Sequence, residues 1–159
     1  MPHNSQQLQA FMDARNVAAQ IIHLPGTTLT VAEAAAALGV VPEQIIKTVL
    51  FLADGEPVLA ISCGTARIAW KRLADYLGVS RRRLKTGTAV QVQSITGYVV
   101  GAVPPFAHAR VLRTVVDTAV YNQPILYGGG GEINALLRLT PAELRRIVGT
   151  ETADLAERE

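Results

Sequence analysis

The chain has little of what disulfide-bonded, metal-binding and membrane proteins need. Its 159 residues include a single cysteine, Cys63, which excludes a disulfide within the chain, and its 3 histidines come without an HExxH or CxxC motif. No uncharged run approaches the roughly 20 apolar residues that cross a bilayer. The first residues lack the basic and apolar regions of a secretory signal. We therefore expect a cytoplasmic protein with no metal, no cofactor and no membrane contact.

Charge is sparse as well. Charged residues make up 18% of the chain and the net charge is +2, which excludes nonspecific coating of nucleic acid. One basic cluster stands out, formed by Arg81, Arg82 and Arg83 with Lys85 nearby. Such a cluster is either a solvated turn or a contact for phosphates beside a binding site. Any role in nucleic-acid binding must therefore be local.

The hydrophobic content of 49% is enough for the core of one domain, which we expect over residues 1–159 with a polar tail that frays after about residue 149. Apolar spacing and capping residues predict helices near residues 5–17, 31–39, 66–77, 88–95 and 141–148. Alternating and β-rich runs predict strands at 19–24, 44–53, 57–63, 98–100, 111–116, 123–127 and 133–139. Because strands outnumber helices, the predicted fold class is mixed α/β (α+β), with a curved mixed sheet flanked by helices.

Lys47 is a lysine inside an apolar strand. The two-residue period places it on one face with Ile45, Val49 and Phe51, and it places Thr48 on the opposite face. A buried lysine would need an anion, a carbonyl or a ligand as its partner. A lysine on an edge strand would instead protect that edge against aggregation and would need no partner. The pattern leaves both interpretations open.

Cys63 invites the hypothesis of a thiolate nucleophile with His23 or His108 as its base. Nothing in the sequence pairs the thiol with either histidine. A small thiol at the end of a strand is more often a packing residue. We therefore predict that Cys63 is buried and has no catalytic role.

The glycine run of residues 128–131 disfavours the interior of both helices and strands. It lacks the spacing of a GxGxxG motif and the Lys-Ser/Thr ending of a P-loop. Two interpretations remain: a long flexible turn, or a backbone wall that a ligand approaches closely.

Three stretches taken together, IIKT at residues 45–48, GAVPPF at 101–106 and GGGGEINALLRLTPAEL at 128–144, resemble a known family. It is the YbaK-type and prolyl-tRNA synthetase insertion-domain family of aminoacyl-tRNA deacylases, and the likeness spans about residues 20–148. The resemblance implies a barrel-like mixed sheet with helices around it. It also implies hydrolysis of the ester between a wrong amino acid and the terminal adenosine of a tRNA.

The resemblance also implies roles for individual residues. Lys47 matches the family's functional lysine, which contacts the aminoacyl ester or the terminal nucleotide, and Thr48 matches the adjacent pocket position. Gly101 and Pro105 match the ends of a GxxxP loop that holds the adenosine and aminoacyl groups through its backbone. We therefore expect Lys47 and Gly101 as catalytic residues. Substrate binding is expected at Thr48, Pro104, Pro105, Gly128, Gly129, Gly130 and Gly131.

Two positions depart from the family pattern. Pro104 stands where many relatives carry a small hydroxyl residue, and Ala107 stands where a glycine is common. Both substitutions stiffen the loop. They leave open which amino acid the pocket selects.

The predicted function is a trans-editing hydrolase for misacylated tRNA, with Cys-, Ala- or another small-residue-tRNA(Pro) as substrate. Free amides of the glycine run would hold a developing oxyanion, and a hydroxyl of the substrate or tRNA, a substrate thiol or water would attack the ester. The expected partners are the tRNA acceptor end, which Arg81, Arg82, Arg83 and Lys85 would contact, and prolyl-tRNA synthetase. The alternative is a non-catalytic module of the same fold that binds a nucleotide, an aminoacyl end or a protein. The oligomeric state stays open.

Overall fold

The computed structural model describes residues 1–26 and 30–157. In that part of the chain, no helix has both the length and the apolar character that a membrane crossing requires. The helices are α1 (Ser5–Arg15), α2 (Val31–Leu38), α3 (Trp70–Leu77), α4 (Ala89–Thr96) and α5 (Pro141–Val148). The strands are β1 (Ala19–His23), β2 (Ile46–Ala53), β3 (Glu56–Cys63), β4 (Leu84–Thr86), β5 (Arg113–Asp117), β6 (Leu126–Gly129), β7 (Ala135–Leu139) and β8 (Thr152–Ala153).

The strands lie in two sheets. One sheet has the order β1-β7-β6 and is antiparallel throughout. The other has the order β4-β2-β3-β5-β8, in which β3, β5 and β8 run parallel to one another while β2 and β4 run antiparallel to their neighbours. The prediction of a mixed α/β fold is thus confirmed. The barrel-like sheet that the resemblance implies does not close into a barrel, since the described strands form two sheets.

The hairpin of β2 and β3 is the center of the larger sheet and was predicted from the sequence. Its two-residue turn is Asp54-Gly55, and both residues have positive φ, 51° and 85°. A turn of this type twists in the same sense as the strands that it joins. It aligns Ala53 with Glu56 and, at the far end, Ile46 with Cys63.

Two of the apolar clusters hold α1, α5 and α3 on the sheets. In one, Leu8 and Met12 of α1 pack with Ile61 of β3, Leu137 of β7 and Leu144 of α5. In the other, α3 packs on the opposite side of the larger sheet through residues that include Phe51, Leu73 and Val115. The remaining helices, α2 and α4, lie next to β2 and outside these two clusters.

Several local predictions are wrong. Residues 98–100 form no strand, because Thr96 and Tyr98 are held in a buried turn in which the Thr96 hydroxyl accepts from the Tyr98 amide. Helix α3 begins at Trp70 and not near residue 66. The short strands β4 and β8 were not predicted, since strands of three and two residues carry no readable alternation.

The predicted frayed tail is also wrong for the residues described. Strand β8 pairs with β5, and Leu155 beyond it is fully buried. The carboxylate of Asp117 accepts hydrogen bonds from the amides of Leu155, at 2.8 Å, and Ala156, at 3.1 Å. One apolar side chain and one buried carboxylate therefore anchor a segment whose composition is polar. Residues 158–159 lie outside the described part.

Candidate functional site

A cavity of about 350 Å³ lies between the two sheets. Helices α2 and α4, strand β2 and the glycines at the end of β6 all contribute to its walls, together with Val100, Gly101 and Val103. Its lining is mainly apolar, with side chains that include Val31, Val92, Val103 and Leu136. The size and the apolar walls are those of a small-ligand site.

The cavity exists because β2 lacks a neighbouring strand over part of its length. On the side away from β3, β4 pairs with Phe51–Ala53, and a single parallel bridge joins Ile45 to Tyr127 of β6. Between these two contacts, residues 46–50 pair with no strand on that side within residues 1–26 and 30–157. We call this stretch the open edge of β2. All five of its residues line the cavity.

The hydrogen bonds at either end of the open edge show which backbone groups face the cavity. The carbonyl of Leu50 accepts from the amide of Gly87 at 2.9 Å, on the side of β4. The carbonyl of Ile45 accepts from Gly64 at 2.9 Å, on the side of β3. Because the backbone polar groups of successive strand residues alternate in direction, Thr48 shares the direction of Leu50. The N–H and C=O of Thr48 therefore face the cavity.

The opposite wall presents a second backbone edge. The amide of Gly130 donates to Ala135 at 3.1 Å, on the side of β7. By the same alternation, the N–H and C=O of Gly129 face away from β7, toward the side on which Tyr127 bridges Ile45. Strands β6 and β2 thus touch at this bridge and then separate, and both line the cavity.

Lys47 and Thr48 both line the cavity, although the two-residue period placed them on opposite faces of the strand. The reason is that the cavity opens onto the edge of β2 and not onto one face. Lys47 is exposed and Thr48 half-buried. Among the described lining residues, Lys47 carries the single charge, and no Asp or Glu is present. Both residues therefore line one cavity. That they bind the substrate there remains a prediction.

Gly101 lines the cavity from a tight turn. The amide of Ala102 donates to the carbonyl of Val99 at 3.1 Å, and Gly101 has φ of 90° in the position that requires a left-handed residue. Pro104 and Pro105 do not line the cavity. They are buried behind it, and the Cδ of Pro105 lies 3.6 Å from where a Cβ of Gly128 would be.

The structure gives a different reason for the glycine run from the one that the sequence suggested. A Cβ on Gly129 would collide with the carbonyl oxygen of Val103, and a Cβ on Gly130 would come within 2.6 Å of the backbone of Ala135. Gly131 has φ of 92° and faces the backbone at the start of α1. These three glycines are therefore required by contacts within the protein. Only Gly128 and Gly129 line the cavity.

The amides of the run are only in part available to a ligand. Gly130 donates to Ala135, and Gly131 donates at 3.0 Å to Ala102, which ties the glycine run to the proline loop (residues 101–106). The expectation that several amides of the run hold an oxyanion is therefore wrong for these two. It stays open for Gly129, whose amide faces the cavity side.

A buried cluster under the proline loop was missed by the sequence reasoning. The Tyr98 hydroxyl donates to the carbonyl of Ala107 at 2.8 Å, and Nε2 of His108 lies 2.7 Å from the carbonyl oxygen of Pro104. Burial raises the pKa of Tyr98 to about 12, and burial lowers the pKa of His108 despite the opposing effect of its contact with Pro104. The signal in the sequence that could have indicated this cluster was Ala107. Its φ of 69° explains why a glycine is common at this position in the family.

The remaining candidates lie outside the cavity lining. Arg81 stacks on Trp70 at 4.2 Å, and Arg83 pairs with Asp54 at 2.8 Å, so two of the three arginines already have partners. Lys85 is exposed and immediately precedes Thr86, which lines the cavity. Cys63 is 8% exposed, within the apolar core and away from the cavity.

The match to known proteins covers the same residues. The aminoacyl-tRNA editing domain family matches residues 26–147, which include β2, the proline loop and the glycine run. The chain belongs to this family. Members of the family are editing domains, and the residues that line the cavity all fall inside the matched range.

Relatives of two kinds are found. A proline–tRNA ligase of Streptococcus equi subsp. zooepidemicus is 30% identical over 128 residues, 80% of this chain, and the chain spans 20% of that ligase. YwhH of Bacillus subtilis is 29% identical over 119 residues, 74% of either chain. A solved structure of a protein proposed as a trans-editing enzyme for prolyl-tRNA synthetase has a TM-score of 0.90 and 30% identity, with 97% of both chains covered.

Proposed function

We propose that this protein is a trans-editing hydrolase that cleaves the ester of misacylated tRNA, with Cys-, Ala- or another small-residue-tRNA(Pro) as its substrate. The observation that carries the proposal is that Lys47, Gly101 and Gly129 line one cavity, in a chain of the editing-domain family. The cavity volume of about 350 Å³ suits an aminoacyl group together with part of a ribose, and not a long side chain as well.

The lining favours catalysis by positioning over covalent catalysis. No Ser, Cys, His, Asp or Glu lines the cavity in the described part of the chain. Inward-facing backbone amides, Gly129 foremost, are donors for the charge that develops on the ester carbonyl during attack. The nucleophile is then a hydroxyl of the substrate or tRNA, a substrate thiol or water, held against the ester by the cavity walls.

Lys47 has the role of a binding and orienting group. Its side chain is exposed at the cavity, where an ammonium group can contact a phosphate or ribose oxygen of the terminal nucleotide. The exposed residues Arg82 and Lys85 extend positive charge beyond the cavity, toward the acceptor stem of a bound tRNA.

A panel of tRNA(Pro) charged with Pro, Ala, Cys, Ser or Thr tests the proposal. We expect hydrolysis of at least one small-residue ester well above its spontaneous rate, and slower hydrolysis of Pro-tRNA(Pro). Tight binding of the whole panel without turnover would instead identify a non-catalytic module. A panel that is neither hydrolysed nor bound would reject both functions.

A further inference from the structure

We propose that the open edge of β2 recognises the α-ammonium group of the aminoacyl ester through the carbonyl oxygen of Thr48, so that only esters with a free α-amino group are accepted. The inference rests on the proposed function and adds the feature by which the substrate is selected. It follows from what the cavity offers to a cation and from which backbone groups point inward.

The first step concerns charge. An aminoacyl ester carries a positive α-ammonium group, which must keep its hydrogen bonds when it leaves water. A carboxylate is the usual partner for such a group, but none lines the cavity within the described residues. Lys47 carries the same sign of charge and repels it. Neutral acceptors must therefore hold the α-ammonium.

The second step concerns the neutral acceptors. Two of the four lining threonine hydroxyls are already engaged: Thr30 accepts from the amide of Glu33 at 3.0 Å, and the fully buried Thr96 donates to the carbonyl of Val92 at 2.6 Å. The hydroxyls of Thr48 and Thr86 and the inward-facing backbone carbonyls remain as acceptors. On the open edge of β2, the carbonyl of Thr48 faces the cavity and has no strand partner there within the described chain.

The third step concerns geometry. A strand edge offers alternating donors and acceptors to an extended chain that lies beside it, and β2 and β6 present two such edges on either side of one cavity. An aminoacyl ester has the same alternation as a short peptide segment, with an ammonium donor followed by a carbonyl acceptor. The ammonium then meets the carbonyl of Thr48, while the ester carbonyl meets the amide of Gly129. Lys47, exposed at the rim, lies on the nucleotide side.

Three stable analogues of aminoacyl-adenosine test the inference with the full-length protein. In each, an amide replaces the ester at the 3′ position: one carries alanine, one N-acetylalanine and one lactate, which exchanges the ammonium for a hydroxyl. Loss of a charged hydrogen bond weakens binding about 10- to 100-fold, which is the expected increase in Kd for the lactate analogue. The N-acetyl analogue should bind at least as weakly. Equal affinity of all three, or no binding by the alanine analogue, would overturn the inference.

The Thr48→Val variant separates the carbonyl from the side chain. It removes the hydroxyl and keeps the backbone carbonyl, so the ratio of Kd between the lactate and alanine analogues should persist. A ratio that falls to one in the variant would assign recognition to the hydroxyl and overturn the role of the carbonyl.

The corresponding rates separate this inference from the proposed function. Ala-tRNA and N-acetyl-Ala-tRNA are compared, each relative to its spontaneous hydrolysis, and only the free amino form should be cleaved. Cleavage of both at the same relative rate would leave the hydrolase intact and reject α-ammonium recognition. Cleavage of neither would exclude Ala-tRNA as a substrate and leave the hydrolase to be decided by the panel of charged tRNA(Pro), while the affinities of the three analogues would still decide whether the cavity selects the ammonium.

Discussion

The electrostatics of the site depend on the side chain of Lys47. It is exposed, it lines the cavity, and it supplies the one charge among the described lining residues. The sequence left a choice between a binding lysine and a lysine that protects a strand edge. Lys47 lies within the open edge of β2, and the two roles are therefore compatible. An edge without a neighbouring strand can aggregate, and the same edge can bind a ligand.

Replacing Lys47 with alanine should lower single-turnover deacylation about 10- to 100-fold, since a charged hydrogen bond to the substrate is lost. Stability should change by less than about 0.5 kcal/mol, because the side chain is exposed. Lys71→Ala, which removes a lysine paired with Asp75 on α3, is the matched control and should keep the wild-type rate. A folded Lys47→Ala protein with the wild-type rate would leave Lys47 with edge protection alone.

Gly129 tests whether the glycine run is a wall for ligand or a packing site. The collision of a Cβ with the Val103 carbonyl predicts that Gly129→Ala shifts the proline loop and costs about 1–3 kcal/mol of unfolding free energy, together with activity. Gly26→Ala is the control, because its Cβ would meet nothing within 4 Å. Urea denaturation measures the unfolding free energy of both variants, and the deacylation assay measures their activity. A Gly129→Ala protein of unchanged stability but lost activity would restore the ligand-wall interpretation.

At the scale of elements, the proline loop is held from beneath and from one side. The contacts of His108 with Pro104 and of Tyr98 with Ala107 fix the residues that flank the loop on either side, and the contact of Gly131 with Ala102 connects the loop to the glycine run. The loop therefore presents Gly101 and Val103 to the cavity from a fixed support, which positioning catalysis requires.

This support should depend on pH through His108. Burial lowers the pKa of His108 below its ordinary value of 6.5, so the folded protein resists protonation that the unfolded chain accepts. Stability is then full above about pH 6.5 and is lost as the pH falls through the lowered folded pKa. Tyr98 and His3 are the titratable groups beside the ring. Urea midpoints at pH 7.5 and pH 5 measure the loss.

His108→Gln is the control for this pH dependence, because an amide can still donate to the Pro104 carbonyl and does not titrate. The difference in midpoint between the two pH values should shrink in the variant. Glu143, whose pKa is lowered to about 2 by its pairing with Arg146, loses its contribution only below its ordinary pKa of 4.5 and does not interfere. An equal loss in variant and wild type would attribute the effect to other groups.

At the scale of the whole molecule, the last described residues complete the larger sheet. Strand β8 covers the edge of β5, and Leu155 enters the core between them and α3. Leu155→Ala should therefore lower the unfolding free energy by about 2–5 kcal/mol. Glu157→Ala changes an exposed side chain two residues away and should be neutral. Equal denaturant midpoints for the two variants would show that the tail contributes nothing.

Binding of intact tRNA is also a property of the whole molecule. Exchanging Arg81, Arg82 and Arg83 for glutamine should weaken binding of tRNA(Pro) with a smaller dependence on salt, because phosphate contacts release counterions. The effect should be less than that of three free arginines, since Arg81 and Arg83 already contact Trp70 and Asp54. Binding of a short acceptor minihelix that does not reach the patch should stay unchanged. If wild type and the triple variant bind tRNA with equal affinity at both low and physiological salt, the cluster has no role in tRNA binding.

Local signals were sufficient to predict much of this protein. The capping box of Thr30 and Glu33 and the Asp54-Gly55 turn act over a few residues, and both are present in the structure. The three motifs of the editing-domain family were likewise recognisable, and the family is confirmed. What these signals share is that their physical cause lies within a short segment of the chain, so the sequence alone determined them.

The tertiary structure decided what depends on contacts between distant segments. The two-residue period of β2 states which residues share a face, but it does not state that the neighbouring strand stops short, and this absence is what brings Lys47 and Thr48 to one cavity. The reason for Gly129 is a carbonyl 26 positions earlier, and the order of the tail depends on a buried carboxylate of β5. Such contacts form only when the chain is folded, and no local pattern records them.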